Sequence, residues 1–252
     1  VVGWLAYREG EHDWAFGLLR QSGEARPRDA EVQYHFALAS FTQGQIDRAQ
    51  EIAEAASRIE SSSPVPAAAE DFRKILQAIK SSTADPEVVR LAEAMPESDP
   101  RYTAARFVIA LQLESDGKVE DALQILESIF ETSPRIAQAA KEAARLYANH
   151  LENDQRAYEL ASKARALLPE DPDVSFLLGK VAYGRKEFDW AGQLLEETIT
   201  RRPGDSEAIY LLGFCRAGQN NAPQAEELLK KALKLDPDSN HAAEAKQLLS
   251  QK

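Results

Sequence analysis

The sequence predicts an all-α array of antiparallel helix pairs, and three observations predict it. Prolines recur on a fixed step: Pro66, Pro100, Pro134, Pro169, Pro203 and Pro237 stand 34, 34, 35, 34 and 34 residues apart. Small residues keep the same step, as Ala122, Ala157, Ala191 and Ala225 in one series and Ala110, Ala144, Gly179 and Gly213 in another. Within each step apolar residues fall at i, i+3, i+4 and i+7, the spacing of an amphipathic helix, and no segment alternates as a strand does. A fixed period of this length marks a repeat architecture.

The elements follow in order. Gly3, Gly10 and Ala15 each precede their counterparts Ala37, Gly44 and Ala49 by 34 residues, so two units open the chain near 1–29 and 30–66. The step to the third unit, 69–102, is about five residues too long. The excess lies in Ser57–Pro66, whose Ser61-Ser62-Ser63-Pro64-Val65-Pro66 cannot continue a helix. It reads as a hinge or as a surface loop. The third unit carries Leu76 and Val88 at its two small sites, while Phe72, Ile75, Leu76 and Ile79 still form a helical face. Units near 103–136, 137–171, 172–205 and 206–239 complete the series. Asp85-Pro86, Asp99-Pro100, Asp171-Pro172 and Asp236-Pro237 punctuate it, because proline lacks an amide donor and stops one helix or opens the next.

Glycine inside a helix costs about 1 kcal/mol relative to alanine, so Gly179 and Gly213 mark close backbone approaches. Ala191 and Ala225 are the expected facing sites. Residues 240–252 read as a capping helix, with Ala242, Ala245 and Leu249 inward and Glu244, Lys246, Gln247, Gln251 and Lys252 outward. Val1-Val2-Gly3-Trp4 already lies inside a first helix, so the segment is expected to be a fragment of a longer protein. The domain organisation is therefore two repeats over 1–66, five over 67–239 and the cap.

Composition narrows the function. The chain has 252 residues, 30 basic against 41 acidic, and a formal charge of −11, which argues against a nucleic-acid surface built on clustered Lys and Arg. One cysteine, Cys215, excludes an intrachain disulfide framework and a Cys-based zinc site. No apolar run approaches the ~18–20 residues of a membrane span and no signal-peptide pattern is found. The expected compartment is cytoplasmic or periplasmic, and the alanine-rich, lysine-poor repeats look bacterial.

The stretch Glu207-Ala208-Ile209-Tyr210-Leu211-Leu212-Gly213, followed by Ala225 and by Lys231-Ala232-Leu233-Lys234-Leu235-Asp236-Pro237, resembles a tetratricopeptide repeat. So do Asp173-Val174-Ser175-Phe176-Leu177-Leu178-Gly179 with Ala191, Leu195 and Pro203, and Ala110, Gly117, Ala122, Leu126 and Pro134. The tryptophan and first-helix tyrosine of the usual pattern are mostly replaced. The resemblance implies a right-handed superhelical solenoid of about seven repeats. It also implies a non-catalytic protein-interaction scaffold whose first helices line a concave groove for a peptide or partner helix.

Positions three before, one after and four after each small residue are expected to face that groove. The candidate binding residues are Tyr34, His35, Leu38 and Phe41; Arg73, Gln77 and Lys80; Phe107 and Leu111; Lys141 and Arg145; Phe176, Lys180 and Tyr183; Tyr210 and Phe214. Exposed aromatics beside Arg are what interface hot spots are made of, but such positions equally pack between neighbouring repeats. The basic ones are partner contacts or members of salt bridges. The expected partner is a protein or peptide with an acidic and apolar segment, and a structural, self-associating or regulatory segment of a larger, membrane-associated bacterial protein is the competing reading. The two-carboxylate clamp by which some family members hold chaperone C-termini is not matched: starting from Lys141 and Arg145, the next repeats offer Leu177, Glu207 and Leu211. No phosphate loop, His-Glu-x-x-His or Gly-x-Ser-x-Gly is present, so no cofactor, metal or catalytic residue is expected. His12, His35, His150 and His241 fall at unrelated repeat positions, and Cys215 is expected to be buried and inert.

Overall fold

The computed structural model describes residues 1–151 and 153–250, so the outward placement expected for Gln251 and Lys252 lies outside the described residues. Among the described residues there are fifteen α-helices and no strand. They form seven antiparallel pairs: α1 (Val2–Arg8) with α2 (His12–Ala25), α3 (Ala30–Thr42) with α4 (Ile46–Ser57), and α5 (Val65–Ser81) with α6 (Pro86–Glu93). These are followed by α7 (Tyr102–Ser115) with α8 (Val119–Thr132), and by α9 (Ala137–His150) with α10 (Asp154–Leu167). The last two pairs are α11 (Pro172–Gly184) with α12 (Phe188–Arg201) and α13 (Ser206–Gly218) with α14 (Ala222–Leu235); α15 (Ala242–Ser250) follows. The chain divides into two compact units, Val1–Ala140 and Lys141–Lys252.

Local chemistry sets the helix starts. The Asp85 side chain accepts from the Glu87 and Val88 amides and Asp171 from those of Asp173 and Val174, and in both cases proline occupies the next position. Asp29, Asn153, Asp205 and Asn221 cap α3, α10, α13 and α14 in the same manner. Each such cap satisfies amides that have no partner within the helix. The turns inside the pairs share a second device, one residue in the left-handed region: Gly10, Gly44, Ser82, Gly117, Lys186 and Asn220. Glycine accepts this conformation freely, whereas Ser82 and Lys186 hold it against a steric cost.

Packing explains the small residues. A Cβ on Gly179 would stand 2.9 Å from Leu195 Cγ, and one on Gly213 would stand 2.7 Å from Leu229 Cδ2. The expected facing alanines, Ala191 and Ala225, are buried, but the atoms nearest the glycines belong to the leucines one turn further on. In the second unit Ile209, Tyr210, Leu212, Phe214, Leu229 and Ala232 form the core, and Ala242 and Ala245 of α15 close it while Glu244, Lys246 and Gln247 stay exposed. The third pair departs from the rest. Leu76 and Val88 fill its small sites, and α5 packs more extensively on α4 than on its own partner α6. Helix α6 has only 8 residues against 14 in α8; Pro96 lies just beyond its end and turns the preceding residue, Met95, away from helical backbone. The connection between α4 and α5 is residues 58–64; Val65 and Pro66, expected to lie in the turn, instead open α5, where proline is tolerated in the first turn.

Candidate functional site

In the first unit the sequence-derived residues separate into core and rim. Tyr34, Leu38 and Phe41 on α3 and Phe107 and Leu111 on α7 are buried. Phe72 of α5 receives Tyr34 and Phe41 edge-on, with ring centroids at 6.4 and 5.9 Å, so these aromatics bind helix to helix. His35 is half-buried and stacks flat on Trp4 at 3.8 Å; burial above all lowers its pKa to about 4. Trp4 stacks in turn on Tyr7, and Tyr7 meets His12 edge-on. Two of the four histidines thus stand at the ends of one run of rings, an arrangement the repeat positions alone do not show. The basic group on α5 is neutralised locally: Arg73 binds Glu70 through two nitrogens, Lys80 pairs with Asp47 at 2.5 Å, and Gln77 accepts from Gln50 at 2.7 Å. Arg73 and Gln77 border a surface cavity of about 340 Å³ together with Lys74, Asp85 and Glu87.

The second unit assembles more of the predicted residues on one open surface. Phe176, Lys180 and Tyr183 are at i, i+4 and i+7 of α11, hence on one side of the helix, and all three are partly exposed. Lys180 donates to Glu207 of α13 at 3.0 Å and to Asn149 of α9 at 3.3 Å, which fixes the stripe between its neighbours. Its ammonium lies 6.0 Å from the Phe176 ring centre, and the Arg202 guanidinium lies 5.7 Å from the same ring. Cations at this distance are attracted by the negative face of the ring. Tyr183 stacks on Phe214 at 6.1 Å.

Lys141 and Arg145 enter this unit from α9. Lys141 donates to Asp171 at 3.1 Å and lies 3.6 Å from Asp173. Burial pulls its pKa down, but Asp171, Glu142 and Asp173 outweigh that and hold it above the ordinary lysine value. Asp171 therefore serves two elements, as N-cap of α11 and as counter-ion of α9. Arg145 binds Glu142 at 2.7 Å. Tyr210 and Phe214 are buried, and the Tyr210 hydroxyl donates to the Asp236 carbonyl at 2.6 Å. The residues the sequence reading missed are Arg202, Glu207 and Asn149. The signal for the first two is a basic residue and an acidic residue about one repeat length from their partners. Cys215 is buried, and burial pushes its thiol up to about 11 against the pull of Arg216. Among the described residues no three His, Cys, Asp or Glu side chains are grouped to hold a metal, and no helix is long and apolar enough to cross a membrane.

Paired helices on a 34-residue period, locked by small residues and Asp caps, define an α-helical repeat protein. Residues 182–251 match the family model of the tetratricopeptide repeat. The same step extends from Gly3 to Pro237, and the fold is that of a tetratricopeptide-repeat array. Among solved structures it resembles Pseudomonas aeruginosa PilF, at 16% identity and TM-score 0.54, covering 98% of this chain and 94% of that one. It also resembles YrrB, described as a TPR protein with an unusual peptide-binding site, at 17% identity and TM-score 0.51, covering 91% and 97%. A curated relative is the mouse (Mus musculus) protein O-mannosyl-transferase TMTC1, 27% identical over 144 residues; the match spans 56% of this chain and 15% of that protein. These likenesses give the fold, and the mannosyl-transferase name belongs to that larger protein.

Proposed function

We propose that this chain is a non-catalytic scaffold that binds a peptide or partner helix on the α9–α11 face of its second unit. The observation that carries the reading is the Phe176–Lys180–Tyr183 stripe. It is a row of partly exposed aromatic and cationic side chains, held from both sides by Asn149 and Glu207. A rigid aromatic anchor flanked by held charges loses little entropy on binding, the property that makes Tyr and Arg frequent hot spots. Because Lys141, Arg145 and Lys180 already have carboxylate partners, the apolar component leads. The fitting segment places an apolar side chain on Phe176 and Tyr183 and lets its carboxylates compete with Glu207 and Asp173. The peptide-binding site named for YrrB is consistent with this use of the fold. Capture of a partner from the native source by the wild-type chain, and its loss by at least tenfold with Phe176→Ala or Lys180→Ala, tests the reading; unchanged capture by both folded variants contradicts it.

A self-associating module is the second reading, favoured by one observation. Val2, Leu5 and Trp14, three large exposed apolar side chains, share the first helix pair. Light scattering on Leu5→Glu and Trp14→Glu variants separates the two, since a chain that is monomeric before and after substitution does not associate through this pair.

A further inference from the structure

The last repeat of the second unit lacks the rings that fill the repeat before it. Where α11 turns into α12, the Tyr183 ring lies 6.0 Å from that of Phe188 and 6.1 Å from that of Phe214 of α13, centre to centre. Gly218 at the end of α13 makes room for this group, since a Cβ there would stand 2.6 Å from the Phe188 ring. Three aromatic side chains thus close the space where the turn of one helix pair meets the first helix of the next. One 34-residue step further on, the same positions hold Ala217, Ala222 and Leu248. Two rings have become methyl groups and the third an isobutyl group, and nothing else refills the space. What remains between α13, α14 and α15 is a cavity of about 270 Å³, with Ala217, Ala222, Leu229, Leu248 and Leu249 in its wall.

Size and chemistry define the occupant. An apolar cavity of about 150 Å³ already holds benzene, so a single aromatic ring fits here. A drug-sized molecule needs roughly 300–1,000 Å³ and does not. The wall is anchored: Leu229 is buried, and Leu248 and Leu249 pack against the core of the unit while staying partly open to solvent. The cavity also has polar groups, the Asn220 side chain in its exposed left-handed turn and the Glu226 carboxylate, which Lys230 holds at 2.6 Å. An amide and a held carboxylate beside an apolar recess match the N–H and C=O groups that flank a side chain on a polypeptide. A free hydrocarbon makes no use of them.

We propose that this cavity receives one aromatic side chain, of the Phe or Tyr type, from a partner polypeptide. The template is internal to the chain: Tyr183 and Phe188 are the rings that the same space accepts one repeat earlier. The site lies on the last repeat and the cap, and it does not rest on the Phe176 stripe.

The test uses the full chain with isotope-labelled leucine methyl groups, followed by NMR, and N-acetyl-phenylalanine amide as the probe. The wild type is expected to show saturable shifts of the Leu229, Leu248 and Leu249 methyls, and N-acetyl-alanine amide is expected to cause none. Ala222→Phe restores the ring that Phe188 supplies in the preceding repeat, and it should weaken binding of the probe at least tenfold. Ala217→Tyr restores the other ring and should do the same. No shift of these methyls up to the solubility limit of the probe, equal shifts with the alanine analogue, or wild-type affinity in both folded variants overturns the proposal. Toluene separates the two sources of a ring: binding of toluene without binding of the capped amino acid marks a cavity for free rings and overturns the side-chain occupant.

Discussion

Asp13 and Arg135, 122 positions apart in the chain, form an ion pair of 2.9 Å. The contact joins the start of α2 to the connection between α8 and α9. Gln43, from the turn between α3 and α4, donates to the same carboxylate at 2.9 Å. Gln43 first and Arg135 second hold the Asp13 carboxyl below its ordinary pKa. Beside it the backbones of Gly44 and Arg135 meet so closely that a Cβ on Gly44 would stand 2.0 Å from the Arg135 carbonyl oxygen. Three connections of the first unit thus converge, bordering a cavity of about 290 Å³.

Two glycines separate conformation from contact. Gly44 and Gly117 have similar positive φ, 73° and 76°, but a Cβ on Gly117 meets nothing within 4 Å. Gly117→Ala should therefore cost only the left-handed penalty, about 1–2 kcal/mol. Gly44→Ala should cost about 1–3 kcal/mol more, because the Arg135 backbone must move. Urea unfolding of the two variants measures the difference, and equal losses would show that the approach of Arg135 is not held.

Lys186 offers the converse change. It occupies the left-handed turn position before α12 with φ 63° and is exposed. Lys186→Gly should stabilise the chain by up to about 1 kcal/mol, the relief of the Cβ clash less the added entropy of the unfolded glycine. A rise in the urea midpoint at unchanged slope is the expected result.

The packing of α13 on α14 predicts a coupled pair. Gly213→Ala drives a methyl group to 2.7 Å from Leu229 Cδ2 and should destabilise by about 1–3 kcal/mol. Leu229→Ala alone should cost about 2–5 kcal/mol as a core truncation. Combined, they should cost less than the sum, since the truncated side chain leaves room for the new methyl. Strict additivity in a double-mutant cycle would refute the contact.

Stability should fall steeply in alkali. Burial raises the pKa of Tyr34 from 10.0 to about 12 and raises that of Tyr7 further, and Lys141 is raised by its carboxylates. Above about pH 10 the unfolded chain releases these protons while the folded chain keeps them. The native state then binds more protons and loses stability as pH increases. The contribution is complete below pH 10 and disappears as pH passes the folded values. Tyr34→Phe removes one such group and should flatten the slope between pH 10 and 12, as read from urea midpoints. Tyr34→Phe keeps the edge contact with Phe72, so stability at neutral pH should change little.

The repeat period was legible because it is written in prolines and small residues, whose backbone roles hardly depend on neighbours. The helix boundaries at Asp85-Pro86 and Asp171-Pro172 were legible for the same reason, though the capping by the two aspartates was not. What the aromatics do was not. Tyr34 and Phe176 sit at equivalent positions of their helices, yet one is 7% exposed and the other lies partly open. Tyr34 meets Phe72 of α5 edge-on, a contact from elsewhere in the chain, whereas the Phe176 ring lies beside the cations of Lys180 and Arg202. Nor was the pairing of the basic residues. Lys141, Lys180 and Arg202 find carboxylates 30, 27 and 29 positions away, about one repeat, a separation that no local pattern reveals. Lys186 in a left-handed turn was invisible because lysine is not a turn residue.

The central claim, that the α9–α11 face of the second unit is the partner-binding surface, is tested most directly by the footprint of a captured partner in hydrogen exchange. The account predicts slowed exchange in residues 141–150 and 172–184, abolished by Phe176→Ala. Protection confined to the first helix pair, with residues 172–184 unchanged, would contradict it.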